Sequence, residues 1–347
     1  MKKHSIVNVV KAVAFLLIAM ILFCCLSKVL ERKRIYGAGN MMAKMNEFYS
    51  TTENSMSYIG VGSSHMYCTL NPLEVWKKTG ISGFVVSSQQ QPLNASYHYL
   101  KEAFKTQNPD VVIVEGYMGY YEEEYPKDAV AYDAIDPLRL SWNKIQLINE
   151  IVPEGERVNY YFNILKYHTR WKEISFREVV DSFNQPVDTY KGYVCLAGSE
   201  EFSINESNYD SVGKGVMPEK NLQELEEIYQ LIQENKADMI LLIAPYPTDD
   251  EMLVSAMKAE IAWAQSKNVP VIDITSLYDE LEINGATDFY DAGHLDVDGA
   301  RKVSLYMADY LKDMGVAPRE NIDSEKWQSN YETYIKYMEQ IKERAEV

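Results

Sequence analysis

The chain is short of basic residues, cysteine and histidine, and each shortage argues against a class of protein. Its 347 residues include 34 basic and 51 acidic side chains, which gives a net charge of −17. Such a surface repels phosphate backbones, so we expect no nucleic-acid partner. Four cysteines are too few for a disulfide-dense scaffold. The cysteines and five histidines also lack the spacing of metal ligands, so no metal site is expected.

What the chain does have is enough apolar material for a large core. Apolar residues make up 46% of the sequence and aromatic residues 12%. A chain of this length and composition fits one large domain, or one domain with an insertion, better than several small domains.

The N-terminus contains the one long apolar run, from Ala12 to Leu26. A bilayer is spanned by about 20 apolar residues. The run extends back to Ile6 if Asn8 and Lys11 are tolerated near its N-terminal end. A cleaved signal peptide or a lipoprotein would need small residues near its processing site, and Phe23 and Cys24 fit neither requirement. We therefore predict an uncleaved signal anchor over residues 1–30.

Charge does not orient this anchor, and cysteine does not fix the compartment. Basic residues flank the run on both sides: Lys2, Lys3 and Lys11 before it, and Lys28, Arg32, Lys33 and Arg34 after it. Outside the run only Cys68 and Cys195 remain. They can pair in an oxidising compartment or stay as two buried thiols, and the sequence does not choose.

Beyond a charged segment at 31–54, which we interpret as a stalk with some helical character, strands and helices alternate from residue 55 to 315. The predicted strands are Tyr58–Gly62, Gly83–Ser87, Asp110–Glu115, Met239–Ala244 and Val269–Ile274. This alternation predicts an α/β fold, a three-layer α/β/α sandwich around a mainly parallel five-stranded sheet. Residues 116–215 interrupt the pattern and are predicted to be an insertion or lid. Residues 316–347 are predicted to form an amphipathic helix packed across the domain, with an interaction helix as the less favoured alternative.

Two motifs carry the chemistry. In Ser57–His65, with the sequence SYIGVGSSH, a strand ends in a turn of small residues with Ser64 at its tip. Far downstream, Asp291 and His294 stand three residues apart and would supply a base and its orienting carboxylate. The carboxyl ends of parallel strands border the binding crevice, so we expect both motifs to form one site. The alternative is structural: the serines as turn formers, Asp291 as a cap and His294 as a satisfied histidine.

At Gly62-Ser63-Ser64 and Asp291-x-x-His294 the chain resembles the SGNH/GDSL hydrolases, over about Tyr58 to Met314. The resemblance implies a flavodoxin-like sheet, Ser64 as nucleophile, and His294 and Asp291 as its partners, with no cofactor. Within that superfamily the layout is similar to membrane-anchored envelope proteins of the DltD and alginate-acetylation type. It therefore implies an extracytoplasmic domain on a single-pass anchor in the cell membrane. The implied partners are acyl esters of a cell-surface glycan or teichoic-acid-type polymer, and a membrane acyltransferase.

The chain departs from the family pattern at the oxyanion donors, where members place a Gly after the second strand and an Asn after the third. Ser88 or Gln89 would substitute at the first place. Glu115 stands at the second, and as an anion it would oppose the reaction unless it is protonated or turned away. His65 either contacts substrate or is structural.

Two classes of function therefore stay open. The leading hypothesis is a serine esterase or O-acyltransferase, with plain carbohydrate deacetylation as a variant. The competing hypothesis is an inactive SGNH scaffold that binds glycan or an acyltransferase partner. Aromatic residues of the insertion either stack on sugar rings or form its core: Tyr117, Tyr120, Tyr121, Trp142, Tyr160 and Trp171.

Overall fold

A parallel sheet of five strands organises the protein. The computed structural model describes residues 2–31, 41–184, 187–198, 212–246 and 250–345. Its strands lie in the order β2-β1-β3-β4-β5, and every neighbouring pair is parallel. They are β1 (Tyr58–Gly62), β2 (Gly83–Ser87), β3 (Val111–Glu115), β4 (Asp238–Ile243) and β5 (Val271–Asp273). The predicted α/β sandwich with a five-stranded parallel sheet is confirmed, and only the strand ends differ by one or two residues.

A short antiparallel hairpin is separate from this sheet. It consists of β6 (Phe289–Asp291) and β7 (His294–Leu295). The turn between its strands carries the downstream motif. The predicted motif therefore lies in a hairpin, and the next helix begins at Val297.

Helices cover the sheet and extend from it. They are α1 (Lys2–Leu30), α2 (Met41–Tyr49), α3 (Ser64–Thr69), α4 (Pro72–Thr79), α5 (Leu93–Ala103), α6 (Asp128–Ile135), α7 (Trp142–Ile151), α8 (Arg157–Tyr161), α9 (Asn163–Tyr167), α10 (Phe176–Asp181), α11 (Glu219–Glu234), α12 (Glu251–Ser266), α13 (Val297–Asp313) and α14 (Ser324–Ala345). Single 3₁₀ turns occupy Tyr117–Tyr120, Glu154–Glu156, His168–Lys172 and Ile274–Ser276.

The core lies on both faces of the sheet. All residues of β1, β2 and β3 are buried, as expected for parallel strands that are covered by helices on both sides. β1 has β2 on one side and β3 on the other. The chain therefore moves to one side of β1 to form β2 and then crosses to its other side to form β3. A crevice opens at such a switch point, outside the carboxyl ends of the strands. The turn after β1 is thereby placed at a natural binding site.

Part of the segment interpreted as a stalk is packed into the domain. Met41, Met45 and Phe48 of α2 are at most 1% exposed, and the ring of Phe48 meets Phe84 of β2 edge to face. The expected stalk therefore does not extend over Met41–Tyr49, because this apolar face is buried. Residues 32–40 of the same segment lie outside the described part of the chain.

The predicted insertion divides into two parts. Helices α6 to α9 pack against α2, α5 and the end of α1. Residues 187–198 then return past α3, where the Val194 amide donates to the carbonyl oxygen of Tyr67. Residues 185–186 and 199–211 lie outside the described residues, and a lid over the crevice stays a prediction.

The two ends of the chain behave differently. The run Ile6–Leu30 is one helix long and apolar enough to cross a membrane, and none of its most apolar window is buried. The C-terminal α14 packs on the domain, with Trp327 and Tyr334 buried.

Cys68 and Cys195 are free thiols, the first buried and the second half-buried.

Candidate active site

Ser64 is presented by a tight crossing from β1 into α3. Ser63 is the N-cap of α3, and its Oγ accepts a hydrogen bond from the His65 amide at 3.2 Å. Gly62 precedes this cap with φ +155°, and a Cβ at Gly62 would lie 2.6 Å from the Cβ of Glu115. A side chain therefore cannot be accommodated at position 62 without moving β3. The glycine lets the two strand ends approach and fixes where Ser64 stands.

The structure brings the two sequence motifs together. The Nε2 of His294 lies 2.9 Å from the Oγ of Ser64. On the other side of the ring, Nδ1 lies 2.8 Å and 3.0 Å from the two carboxylate oxygens of Asp291. The carboxylate selects the tautomer that carries its proton on Nδ1, which leaves the Nε2 lone pair facing the serine. An arrangement of this kind can activate a serine hydroxyl for attack on a carbonyl carbon.

Asp291 is itself fixed by the turn that it begins. Its Oδ1 accepts hydrogen bonds from the amides of Gly293 and His294, both at 2.9 Å. The Asp291 side chain is 40% exposed and that of His294 is 25% exposed, whereas Ser64 is 6% exposed as a residue. The base and the carboxylate thus stand at the solvent rim, and the serine lies deeper.

Both carboxyl oxygens of Glu115 are engaged by hydrogen bonds in the turns after β1 and β3. Its Oε2 accepts hydrogen bonds from the Ser63 amide at 2.8 Å and from the Ser63 hydroxyl at 2.7 Å. Its Oε1 accepts from the Tyr117 amide. Burial raises the pKa of Glu115, and these three hydrogen bonds oppose that shift. The carboxyl therefore ties the turn after β1 to the turn after β3.

His65 supports the site from behind. Its ring stacks on Tyr117, with centroids 3.7 Å apart, and lies 4.8 Å from the ring of His294. Burial, and then the charge of His294, lower the pKa of His65 well below its usual range. The ring is thus neutral, and its buried Nε2 has no hydrogen-bond partner among the described residues. It is packed into the wall of the crevice next to the base.

The residues expected to replace the missing glycine donor are placed less favourably. Ser88 follows β2 directly, beside the end of β1, but its amide donates to Oε1 of Gln91 at 3.0 Å. Its Oγ is buried without a partner among the described residues. Gln89 is exposed. The Ser88 amide is therefore already engaged, although its hydroxyl is still available to donate.

Two residues that the sequence analysis did not single out lie near the turn after β1: Tyr67 contacts Ser64, and Lys44 contacts Tyr67 and Ser87. Tyr67, one turn along α3, is buried, which raises the pKa of its phenol, while a hydrogen bond with the Ser64 side chain acts in the opposite direction. The Nζ of Lys44 lies 4.0 Å from the centroid of the Tyr67 ring and 3.3 Å from the carbonyl oxygen of Ser87. The i, i+3 spacing of Ser64 and Tyr67 on a helix was the sequence signal that could have identified Tyr67. No local sequence pattern indicates Lys44.

Comparison with known proteins adds only distant structural likenesses. No protein-family model matches the chain, and no curated protein matches it. Among solved structures, a protein described as belonging to a lipolytic G-D-S-L family, from Desulfitobacterium hafniense DCB-2, superposes with a TM-score of 0.38 at 11% identity. That match covers 73% of this chain and 97% of the other.

Two further solved structures are similar at the same level. A gut microbial diltiazem-metabolizing enzyme gives a TM-score of 0.35 at 13% identity, over 76% of this chain and 47% of its own. An acetyl xylan esterase from the rumen bacterium Butyrivibrio proteoclasticus gives 0.32 at 9% identity, over 75% and 64%. Likenesses at TM-scores of 0.38 or less assign no function to this chain.

Proposed function

We propose that the protein is a serine ester hydrolase or O-acyltransferase of the SGNH type, held at the membrane by α1 and acting on acyl esters of a cell-envelope polysaccharide or teichoic acid. The observation that carries the proposal is the continuous contact from Ser64 Oγ through the His294 ring to the Asp291 carboxylate. A turn-forming serine and a structural histidine have no need of this alignment. Activation of a hydroxyl for attack on a carbonyl does need it.

In the first half-reaction the Ser64 oxygen forms a bond to the ester carbonyl carbon while its proton passes to Nε2 of His294. The Asp291 carboxylate accepts a hydrogen bond from the Nδ1–H of His294 and stabilises the imidazolium. Collapse of the tetrahedral intermediate breaks the bond to the alcohol oxygen, which takes the proton from Nε2. The acyl group is then carried on Ser64.

In the second half-reaction a water molecule or a glycan hydroxyl gives its proton to His294 and attacks the acyl carbon. The bond to Ser64 breaks, and the serine recovers its proton from Nε2. Hydrolysis and transfer differ only in the acceptor. The exposed rim formed by His294 and Asp291 leaves room for either acceptor to approach the base.

The developing oxyanion needs hydrogen-bond donors, each worth roughly 10²–10³ in rate. The Ser64 backbone amide, at the first position of α3, supplies one. The Ser88 hydroxyl and the Tyr67 phenol are neutral groups beside the same strand end and supply the others in this proposal. Glu115 does not interfere, because its carboxyl is already bound to Ser63 and Tyr117.

The test is catalysis by the full-length chain in detergent or in bilayer discs. A chromogenic aryl acetate is offered as acyl donor, with and without a soluble glycan as acceptor, and both released acetate and acetylated glycan are measured. We expect acetate release that is lost in Ser64→Ala, and glycan acetylation if transfer competes with water. Ser276→Ala removes an exposed serine hydroxyl outside the site and serves as the matched control. A folded chain with no turnover of activated esters of any acyl length would contradict the proposal.

A second candidate is a binding scaffold with a weak or inactive site. The specific observation in its favour is the Ser88 amide, whose hydrogen bond to Gln91 removes a backbone donor from the oxyanion site. In that case the same assay gives no turnover, whereas glycan binding to the folded chain persists in Ser64→Ala.

A further inference from the structure

The helical part of the insertion carries a concentration of exposed apolar side chains. Eleven of the seventeen large apolar residues that are exposed outside α1, in the described part of the chain, lie between positions 140 and 187. Leu140 is 83% exposed, Trp171 67%, Phe162 49% and Leu165 47%. Soluble surfaces rarely leave so many large apolar side chains uncovered in one region, and such a patch usually marks an interaction site.

We name these four residues the apolar surface, and they lie next to the C-terminal end of α1. The ring of Phe162 meets the ring of Phe23 edge to face, with centroids 6.3 Å apart. Leu140, Phe162 and Phe23 also line one groove of about 580 Å³. Leu165 lies in α9, which packs on α1, and next to Trp171 the Arg170 guanidinium donates to the Leu30 carbonyl oxygen at 2.7 Å.

The position of Phe23 sets the depth of this surface. Phe23 lies inside the apolar run that ends at Leu26, and seven residues before the end of α1 at Leu30. At 1.5 Å per residue, this places the contact with Phe162 about 10 Å back along the helix axis from Leu30. If α1 spans a bilayer, Phe162 therefore lies at the level where acyl chains meet headgroups. A ring at that level is surrounded by lipid and not by water.

Charge in this segment also has the opposite sign to that of the chain. Residues 157–172 contain four basic side chains and no acidic one, in a protein of net charge −17. Lys166 is paired with Asp136, but Lys172 lies over the Trp171 ring at 5.5 Å and is exposed. An exposed tryptophan beside lysine is typical of the interfacial belt of membrane proteins.

From these contacts we infer that the apolar surface is a second membrane contact: it rests on the headgroup region beside α1 and holds the domain against the bilayer. The inference depends on the membrane anchoring in the proposed function, and not on catalysis. The partner is a lipid surface, because the patch is continuous with a helix that is itself apolar on all sides.

Tryptophan quenching in the full-length chain tests the inference. The protein is reconstituted in vesicles with brominated acyl chains and in matched vesicles without bromine, and the fluorescence of the two is compared. We expect quenching in the parent, most of which is lost in Trp171→Phe. Tyr337→Trp, which adds an indole at an exposed position on α14, is expected to add fluorescence that bromine does not quench.

A reporter within α1 distinguishes the membrane anchor from the second membrane contact at the apolar surface. Phe15→Trp places an indole inside the apolar run, eight residues before Phe23, where brominated lipid quenches it if α1 spans the bilayer. Quenching at Phe15→Trp combined with an unchanged bromine effect in Trp171→Phe would overturn the apolar surface while leaving the anchor in place. No quenching at either position would overturn both. Quenching at both, absent at Tyr337→Trp, supports the inference.

Discussion

Ser64 Oγ and His294 Nε2 lie 2.9 Å apart although 230 positions separate them in the chain. The sheet brings about this meeting: β1 delivers the serine at its carboxyl end, and the β6–β7 hairpin delivers the histidine to the same edge. Asp291 then orients the ring through both of its carboxylate oxygens. The proposed reaction depends on this contact.

Changing the orienting acid is expected to affect rate far more than fold. In Asp291→Asn, the amide oxygen can still accept from the Gly293 and His294 amides, but the side chain no longer favours the proton on Nδ1. We expect kcat to fall roughly 10⁴-fold, because the wrong tautomer faces Ser64. Steady-state hydrolysis of an aryl ester measures this, with circular dichroism as the check on folding. A loss below tenfold would remove Asp291 from the proposed triad.

Tyr67 is expected to help carry the developing charge. Its phenol is buried beside Ser64, and burial raises its pKa, so it stays a neutral hydrogen-bond donor at physiological pH. Tyr67→Phe should lower kcat roughly 10²-fold while leaving KM nearly unchanged, as for the loss of one oxyanion donor. A purely packing role predicts the reverse pattern, with a lower melting temperature and little change in kcat.

Two buried glutamates behind the site are expected to respond differently to the same substitution. Glu115 accepts three hydrogen bonds, so Glu115→Gln leaves one of the amide donors of Ser63 or Tyr117 unpaired and should lower the free energy of unfolding by about 1–3 kcal/mol. The rate should fall as well, because the turn that positions Ser64 is released.

Glu260 is the matched control. Burial, and then the charge of Glu115, raise the pKa of Glu260 well above its usual range, so it is a neutral acid. Glutamine is close to isosteric with that form, and Glu260→Gln should cost less than about 1 kcal/mol. Urea unfolding compares the two variants. Equal destabilisation would contradict the hydrogen-bonding role assigned to Glu115.

Lys44 makes stability depend on pH. Burial lowers the pKa of its ammonium from 10.5 to about 8, although the charge of Asp188 opposes the shift. Between these two values the folded chain binds fewer protons than the unfolded chain, so the contribution of Lys44 to stability rises with pH over this range and is lost as pH falls through 8.

The measurement for Lys44 is urea unfolding at pH 7.5 and pH 10 for the parent and two variants. In the parent, Lys44 should make the free energy of unfolding about 2–3 kcal/mol higher at pH 10 than at pH 7.5, and Lys44→Met should remove this difference. Lys326→Met, which alters an exposed lysine in α14, should show the same change in the free energy of unfolding with pH as the parent. Parallel pH dependence in the parent and in Lys44→Met would contradict the assignment.

Much of this architecture follows from sequence pattern alone. The near-continuous apolar runs fixed β1, β2 and β3 to within a residue, because parallel strands buried on both faces leave that signature. The Asp-x-x-His spacing also predicted that His294 and Asp291 lie side by side, since three residues are enough to close a turn. These features depend on local spacing, which a sequence displays directly.

The rest depends on contacts between distant segments. Met41, Met45 and Phe48 have helical spacing, but Lys44 and Glu47 between them suggested a solvated stalk. Both charges are in fact buried, Glu47 with Lys191 and Lys44 over Tyr67. Glu115 suggested an anion in the crevice for a similar reason, since no local pattern reveals that its carboxyl turns back to Ser63.

The central claim is that Ser64 is an activated nucleophile, and covalent labelling tests it most directly. The full-length chain is treated with a fluorophosphonate, and the modified residue is identified by peptide mass spectrometry in the parent, in Ser64→Ala and in His294→Ala. The account predicts one modification, on Ser64, with none in Ser64→Ala and a strongly slowed reaction in His294→Ala. A folded parent that stays unmodified, or a label on Ser63 or another residue, would contradict it.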